Sequence, residues 1–328
     1  MDRIRDSIGP LRKDAGDTLQ SENPPDISIL IVCYRSKDLV LNALEGLYEH
    51  TQGCTFEVLL TDCSQDGTEQ EVAERFPAVR IISAAENLGF ARGNNFLADH
   101  AKGRYLLLLN PDVEISENAV GELYRCAERE PAAGAWGGVT YLKNGRVDAG
   151  SCQTTPNLRR LCLGFVGFER WTVGGLSPAE TEPREVEALS GAFMMLSANR
   201  WLEMGGFDES FFMYAEELDL CYRLRKAGFP LVMTPKSRVI HLVGGGAGRS
   251  PKRLAAITRA KMHFLRKHRG PIVAALGGVL MWSAALKKVI AAKIIGSVSG
   301  DERMREVSDA YAMTAFHPSE WWGGYSRQ

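Results

Sequence analysis

Three carboxylates, Glu216, Glu217 and Asp219, fall within four residues at the start of a segment with helical spacing. A helix N-terminus favours negative charge, which is one reading of the cluster. The other is chemical. Carboxylates held this close raise the pKa of at least one of them, and such a group is suited to take a proton from a hydroxyl. Asp112 comes after the apolar run Tyr105–Leu109, with Asn110 before it and Glu114 after it. A carboxylate there is either a charge near the N-terminus of the next helix, at Ser116, or a ligand for a hard cation. His241 stands before the run Gly244-Gly245-Gly246-Ala247-Gly248, with Arg249 behind it. A lone histidine is most often structural, and a neutral imidazole is also a metal ligand.

These residues need elements to hold them. Ile27–Cys33 is a continuous apolar run of the kind buried on both faces of a sheet. Further strands are expected at 56–61, 79–83 and Tyr105–Leu109, with helices over 38–49, 67–76 and 90–101 between them. Strands alternating with helices of this length imply parallel βαβ units. After Asn110 the rhythm changes. A helix is expected over 116–130 with Ser116 as its cap, strands at 135–142, 192–196, 231–234 and 238–241, and helices at 199–204 and 216–227. Residues 150–185 show no clean period and read as a long loop. Residues 252–268 read as a basic helix and 272–297 as an apolar one.

In an open parallel sheet, ligands bind beyond the carboxyl ends of the strands. The residues just past each strand are therefore informative: Cys33-Tyr34-Arg35-Ser36, then Asp62 with Ser64 to Thr68, then Asn87, Gly89, Arg92 and Asn94, then Asn110 and Asp112. Neither a GxGxxG nor a Walker A loop is present, which disfavours Rossmann dehydrogenases and P-loop NTPases.

The chain has 328 residues, 45% hydrophobic and 24% charged, an ordinary globular balance. Its net charge of −1 is unevenly spread. No Asp or Glu occurs between Asp219 and Asp301, while sixteen Lys and Arg do. A basic third of this kind points to an anionic partner. Without a recognition motif beside the charge, nucleic acid is not expected. The basic helix is either a solvated surface helix or an element lying on a membrane surface. The uncharged stretch 272–286 is too short to span comfortably. The seven cysteines form no CxxC pair and read as reduced thiols. The N-terminal 25 residues mix charge signs without an apolar core and read as a polar leader, not a signal peptide. These features imply a cytoplasmic location, with peripheral contact at the inner face of the cell membrane.

Six segments, in order over residues 27–246, carry a resemblance: ISILIVCYRS, LLTDCSQDGT, ENLGFARGNN, YLLLLNPDVEI, LSGAFMMLSANRWLEMGGFDESFFMYAEELDLCYRLRKAG and VIHLVGGG. The chain resembles the family 2 glycosyltransferases of the GT-A fold, in particular their bacterial rhamnosyltransferase-like branch. The resemblance implies an α/β fold with a Rossmann-like mixed, mostly parallel sheet flanked by helices over residues 26–250. Residues 251–328 are then a helical extension and tail. From the charge and apolar runs, residues 249–300 are expected to bind an anionic membrane and to be dispensable for catalysis on a soluble acceptor, the alternatives being that the helix packs on the sheet domain or joins copies of the chain. It implies inverting transfer from a nucleoside diphosphate-sugar, dTDP-rhamnose being one candidate, to a glycan or lipid-linked acceptor in cell-surface polysaccharide synthesis.

The resemblance also assigns roles. Mg²⁺ or Mn²⁺ is held by Asp112 and His241, with Asn110 where the family usually has Asp. Cys33, Tyr34 and Arg35 cup the base, which Asp62 hydrogen-bonds unless it only caps its turn. Asn87, Gly89 and Asn94 meet ribose and diphosphate, and Arg249 contacts the diphosphate from the glycine run. Glu217 is the base, with Glu216 beside it and Asp219 orienting the helix or acceptor. Two departures, Asn110 and the Glu at 217 where Asp is commoner, leave open a non-catalytic sugar-nucleotide-binding protein. A nucleotidyltransferase would need a Gly- and Arg/Lys-rich loop after the first strand, and Tyr34-Arg35-Ser36 is not one.

Overall fold

A computed structural model describes residues 24–148, 150–168, 181–242 and 250–325. The polar leader up to residue 23, the glycine run and Arg249 lie outside the described residues.

The first half is a succession of βα units: β1 (Ile27–Cys33), α1 (Lys37–His50), β2 (Phe56–Asp62), α2 (Thr68–Arg75), β3 (Val79–Ile81), α3 (Gly89–Ala98) and β4 (Tyr105–Leu109). β1 pairs in parallel with β2 and β4, and β2 with β3. The apolar runs form strands because both their faces are covered; every residue of β4 is buried. α1 turns Val40, Leu41, Leu44 and Leu47 onto the sheet. α3 sits close over β1 at Gly93, where an added Cβ would come within 2.8 Å of the Val32 side chain.

The second half inserts antiparallel strands. It runs β5 (Val113–Glu114), α4 (Ala119–Arg129), β6 (Ala135–Tyr141), β7 (Cys152–Gln153), α5 (Leu158–Phe165), β8 (Arg184–Val186), β9 (Ala188–Leu189), β10 (Phe193–Ser197), α6 (Ala198–Met204), α7 (Glu216–Lys226) and β11 (Leu231–His241). The nine-stranded sheet has the order β3-β2-β1-β4-β10-β6-β11-β5, with β8 added beside β11. It is mixed: β10 is antiparallel to β4 and β6, whereas β6 and β11 are parallel. β7 and β9 form a separate two-stranded sheet.

Several local expectations change. α4 is capped by Asn118, whose side chain accepts from Gly121 N, and not by Ser116. The two short strands around Pro235 are one strand, β11, with a register shift between Thr234 and Arg238; the bulge accommodates a proline that cannot donate to the ladder. Within the aperiodic segment 150–185, Asn157 caps a helix, α5.

Three more helices complete the chain: α8 (Pro251–Arg269), α9 (Pro271–Ser299) and α10 (Glu302–Phe316). α8 is not set apart from the sheet. Ala260 and Phe264 belong to the same buried cluster as Leu106, Leu108, Leu196 and Leu220. Trp321, fully buried, packs with Met262, Leu265 and Ala274 and ties the segment after α10 to α8 and α9. The apolar stretch 272–286, too short to span by itself, belongs to one 29-residue helix, α9, long and apolar enough by length and composition to cross a membrane.

Candidate active site

β4 ends at Leu109, and the chain turns through Asn110 and Pro111 into β5. β5 pairs with the end of β11, Val113 opposite His241, and Leu242 N donates to Asp112 O at 2.9 Å. This pairing is what brings Asp112 and His241 together: His241 Nε2 lies 3.3 Å from Asp112 Oδ1. The other ring nitrogen, Nδ1, lies 3.5 Å from Asp148 Oδ2. Burial by itself would lower the His241 pKa. The hydrogen bonds and charges of Asp112 and Asp148 outweigh it and carry the pKa up to about 9; a cation taken up by Asp112 and His241 would displace that proton. Asp148 is held below the usual carboxylate range although burial opposes this, because His241 and the Gly150 amide bond it.

Asn110 Oδ1 is buried and has no hydrogen-bond partner. An orphaned amide oxygen two residues before a carboxylate that meets an imidazole offers a fitting set of donor types for Mg²⁺ or Mn²⁺. Among the described residues no three His, Cys, Asp or Glu side chains already form a cage. A cation would therefore take Asp112, His241 and Asn110, with Asp148 behind the imidazole as the carboxylate that orients a metal-ligating histidine. Asp148 was not legible in the sequence: it comes after a surface turn and belongs to no motif.

The acidic cluster sits on the other side of the β10 entry. Asn110 N donates to Ala192 O at 2.9 Å, and the preceding Gly191 lies against Glu217, whose Cβ is 3.4 Å from where a Gly191 Cβ would be. The cluster is reached through two consecutive left-handed residues, Tyr214 (φ 72°) and Ala215 (φ 66°). The other non-glycine residues with positive φ among those described are Arg35 and Gln65, just beyond β1 and β2. Strain of this kind costs about 1–3 kcal/mol per residue and collects at functional sites. All four positions lie in the loops beyond the sheet and at the start of α7.

Glu216 is buried and Glu217 half-buried. Burial pushes both pKa values up, that of Glu216 well up and further raised by the Glu217 charge. Gln153 Nε2 donates to Glu217 Oε1 at 2.9 Å, while Oε2 of each glutamate is unpartnered. Gln153 favours the charged form of Glu217, so the pair shares its proton toward Glu216. Gln153 lies in the aperiodic stretch and is brought over by the β7–β9 pairing.

Asp219 is a different kind of group. It is 0% exposed and bonded by Arg223 Nε at 2.7 Å, Lys267 Nζ at 2.6 Å and His268 Nε2 at 2.6 Å. Burial opposes its charge, but His268, Arg223 and Lys267 carry its pKa down to about 2. Its acceptor capacity is spent, which takes it out of the catalytic group and makes it the tie between α7 and α8.

Other expected contacts also find structural partners. Asp62 is 2% exposed, and its two oxygens accept from Ser64 Oγ at 2.7 Å and Gln65 N at 3.0 Å. These two bonds are those of a turn cap. Asn94, 1% exposed, donates to Phe90 O within α3 at 2.9 Å. Its neighbour Asn95 is the active one, bonding Phe207 N and O and Glu209 and so holding the loop that leads to Glu216. Asn87 accepts from Gly89 N at 3.0 Å. Gly89 (φ 67°) must be glycine twice over, because a Cβ would also meet Phe212 O at 2.6 Å. Cys33 is buried, and its carbonyl receives Cys63 N at 2.9 Å. Tyr34 is exposed, with the Arg35 guanidinium 5.4 Å from its ring centre.

The sheet order, with its polar loops at the carboxyl edge, is that of the GT-A fold. A solved structure of similar fold is the mannosyltransferase PcManGT from Pyrobaculum calidifontis in complex with GDP-Man and Mn²⁺ (TM-score 0.61, 15% identity, covering 92% of this chain and 88% of that one). Residues 28–179 match the model of glycosyl transferase family 2. The N-acetylglucosaminyl-diphospho-decaprenol L-rhamnosyltransferase of Mycobacterium tuberculosis is 34% identical over 253 residues, 70% of this chain and 81% of that protein. Rhamnosyltransferase WbbL of Escherichia coli is 23% identical over 225 residues, 66% of this chain and 83% of that one. The chain belongs to glycosyl transferase family 2, in its rhamnosyltransferase-like branch.

Proposed function

We propose that this glycosyltransferase moves a sugar, with inversion, from a nucleoside diphosphate-sugar to a hydroxyl of a lipid-linked glycan in cell-surface polysaccharide synthesis. The names of the rhamnosyltransferase relatives make dTDP-rhamnose the first donor to test. The observation that carries the reading is the Glu216–Glu217 pair, raised in pKa by burial and set one strand-entry away from Asn110, Asp112 and His241. The acceptor oxygen attacks the anomeric carbon, the bond from that carbon to the diphosphate oxygen breaks, and the diphosphate leaves with the bonding pair. Glu217, the more accessible of the pair and the one polarised by Gln153, takes the acceptor proton. Glu216 retains a proton and keeps a second negative charge out of the site. A Mg²⁺ or Mn²⁺ held by Asp112, His241 and Asn110 would offset the charge of the leaving diphosphate. Tyr34 and Arg35 offer a ring face and a cation to the base.

The helical segment has a surface that suits a membrane. Ile272, Leu276, Val279, Ile290, Ile294 and Val298 recur at helical spacing along α9 and are exposed. The opposite side packs on α10 and α5, so a spanning α9 would drag the charged α10 with it. We place α9 in the plane of an anionic cytoplasmic surface, with Lys293 and the basic α8 nearby. The catalytic domain then covers 26–250, with α8 of the following segment packed against it through Ala260 and Phe264.

A thermal-shift panel of nucleoside diphosphate-sugars with Mn²⁺, and then transfer to a lipid-linked glycan, tests the proposal. Stabilisation by one donor and its consumption are expected. The reading falls if no nucleoside diphosphate-sugar binds or turns over.

A further inference from the structure

A cleft of about 620 Å³ lies beside the start of α7. One wall comes from the loop into α3 and the loop before α7, through Arg92, Glu209 and Phe212. The other comes from α8 and the segment after α10, through Arg259, Glu320 and Tyr325. The second wall is anchored. Arg259 Nε donates to Glu320 O at 2.5 Å and Arg266 Nη2 to Trp322 O at 3.0 Å, and Tyr325 Oη donates to Met213 O.

The cleft adjoins the base. Tyr325 bonds the residue immediately before the strained Tyr214-Ala215 pair. Phe212 O accepts from Phe90 N at 3.3 Å, and the Phe90 ring and Glu217 Cβ both stand against Gly191. Phe90 and Gly191 thus stand between the cleft wall at Phe212 and Glu217.

Its chemistry narrows the ligand. The arginines are balanced within the wall: Arg92 meets Glu86 at 3.0 Å and Glu209 at 3.9 Å, and Arg259 meets Glu320 at 3.3 Å. Two cations against three carboxylates leave no surplus for a phosphate. The lining is mostly polar, which does not suit a lipid chain. Paired guanidinium and carboxylate forks offer donors and acceptors side by side, the pattern that vicinal hydroxyls need. Phe212, 48% exposed, adds a flat apolar face.

We propose that this cleft is the acceptor-sugar subsite, binding an uncharged pyranose of the acceptor glycan over Phe212 with the Arg259–Glu320 and Arg92–Glu209 pairs reaching its hydroxyls. The proposal rests on the glycosyl-transfer reading above. It makes α8 and the segment after α10 part of the acceptor site.

The test titrates methyl glycosides of rhamnose, glucose and N-acetylglucosamine against the full chain without donor, by saturation-transfer NMR. Parent, Phe212→Ala and Glu320→Gln are compared. At least one glycoside binds the parent, and both variants bind it about tenfold or more weakly, the loss of one good contact. Mn²⁺-dependent binding of nucleoside diphosphate stays as in the parent. Glu320→Gln keeps the shape of an exposed residue, so its fold is not at risk. The proposal is overturned if no glycoside binds the parent or if both variants bind as the parent does. Glycoside binding lost in the variants, with no donor ever turned over, would sink the catalytic reading and keep the subsite. Transfer whose acceptor KM ignores both substitutions would do the reverse.

Discussion

Replacing Asp219 by Asn isolates the tie between the catalytic helix and the C-terminal helices. The carboxylate is fully buried and faces Arg223, Lys267 and His268. Its pKa falls from 3.8 to about 2, and at about 1.4 kcal/mol per pKa unit the charge contributes roughly 2 kcal/mol of pH-dependent stability. The substitution costs more than that, because the cations stay behind without their counter-charge. Breaking a buried pair from one side costs about 3–5 kcal/mol. The expected fall in Tm is about 6–20 °C at neutral pH, given roughly 2–4 °C per kcal/mol for a chain of this order of size. The pH dependence has a definite sign. A depressed carboxylate pKa gives stability that is complete above the unfolded value near 3.8 and is lost as pH falls through about 2. The gap between parent and variant should therefore be flat above about pH 4 and close below it. Calorimetry or dye-monitored melting across pH reads both. A variant that melts within a degree of the parent at pH 7, or a gap that does not narrow in acid, would refute the assignment of Asp219 as a structural tie.

The other predictions concern the site and its supports. Glu217→Gln should lower kcat by about 10²-fold or more with donor affinity retained, and Glu216→Gln less; the reverse order would make Glu216 the base. Because burial raises the Glu217 pKa, the acid limb of kcat/KM should fall above the ordinary carboxylate range, and a limb near pH 4 would contradict this. Asp112→Ala and His241→Ala should each remove the Mn²⁺-dependent part of nucleoside diphosphate stabilisation, measured by thermal shift, and full retention in both would reject the cation site. Phe264→Ala should cost about 3–5 kcal/mol in denaturant unfolding of the whole chain, since α8 shares the sheet core. Loss below 1 kcal/mol would restore the view of a separable extension, in which catalysis survives removal of 249–300. Anionic vesicles should co-sediment the chain in a salt-sensitive way, and absence of binding at low salt would overturn the placement of α9.

Much of the catalytic fold is local in origin. Ile27–Cys33 and Tyr105–Leu109 announce themselves because a strand covered on both faces must be apolar at every position. The loops after those strands then locate the ligand edge, and Asp112, His241, Glu216 and Glu217 could be picked out by residue type and neighbours. What the chain could not reveal locally was which of these groups meet and which are already engaged. Asp112 and His241 come together only through the β5–β11 pairing; Asp148 joins them from beyond a surface turn, and Gln153 reaches Glu217 from a stretch with no periodicity. Asp219 has the same kind of side chain as its functional neighbours, yet it is consumed by Lys267 and His268 of α8, partners that only folding supplies. The same holds for α8. Its sequence is that of a basic surface helix, but the Asp219 carboxylate and the open side of the sheet core draw Lys267, His268 and Phe264 inward. Strand identity is set by the pattern of a few consecutive residues, whereas the state of a charge is set by what lies opposite it, and that is decided by contacts between segments distant in the chain.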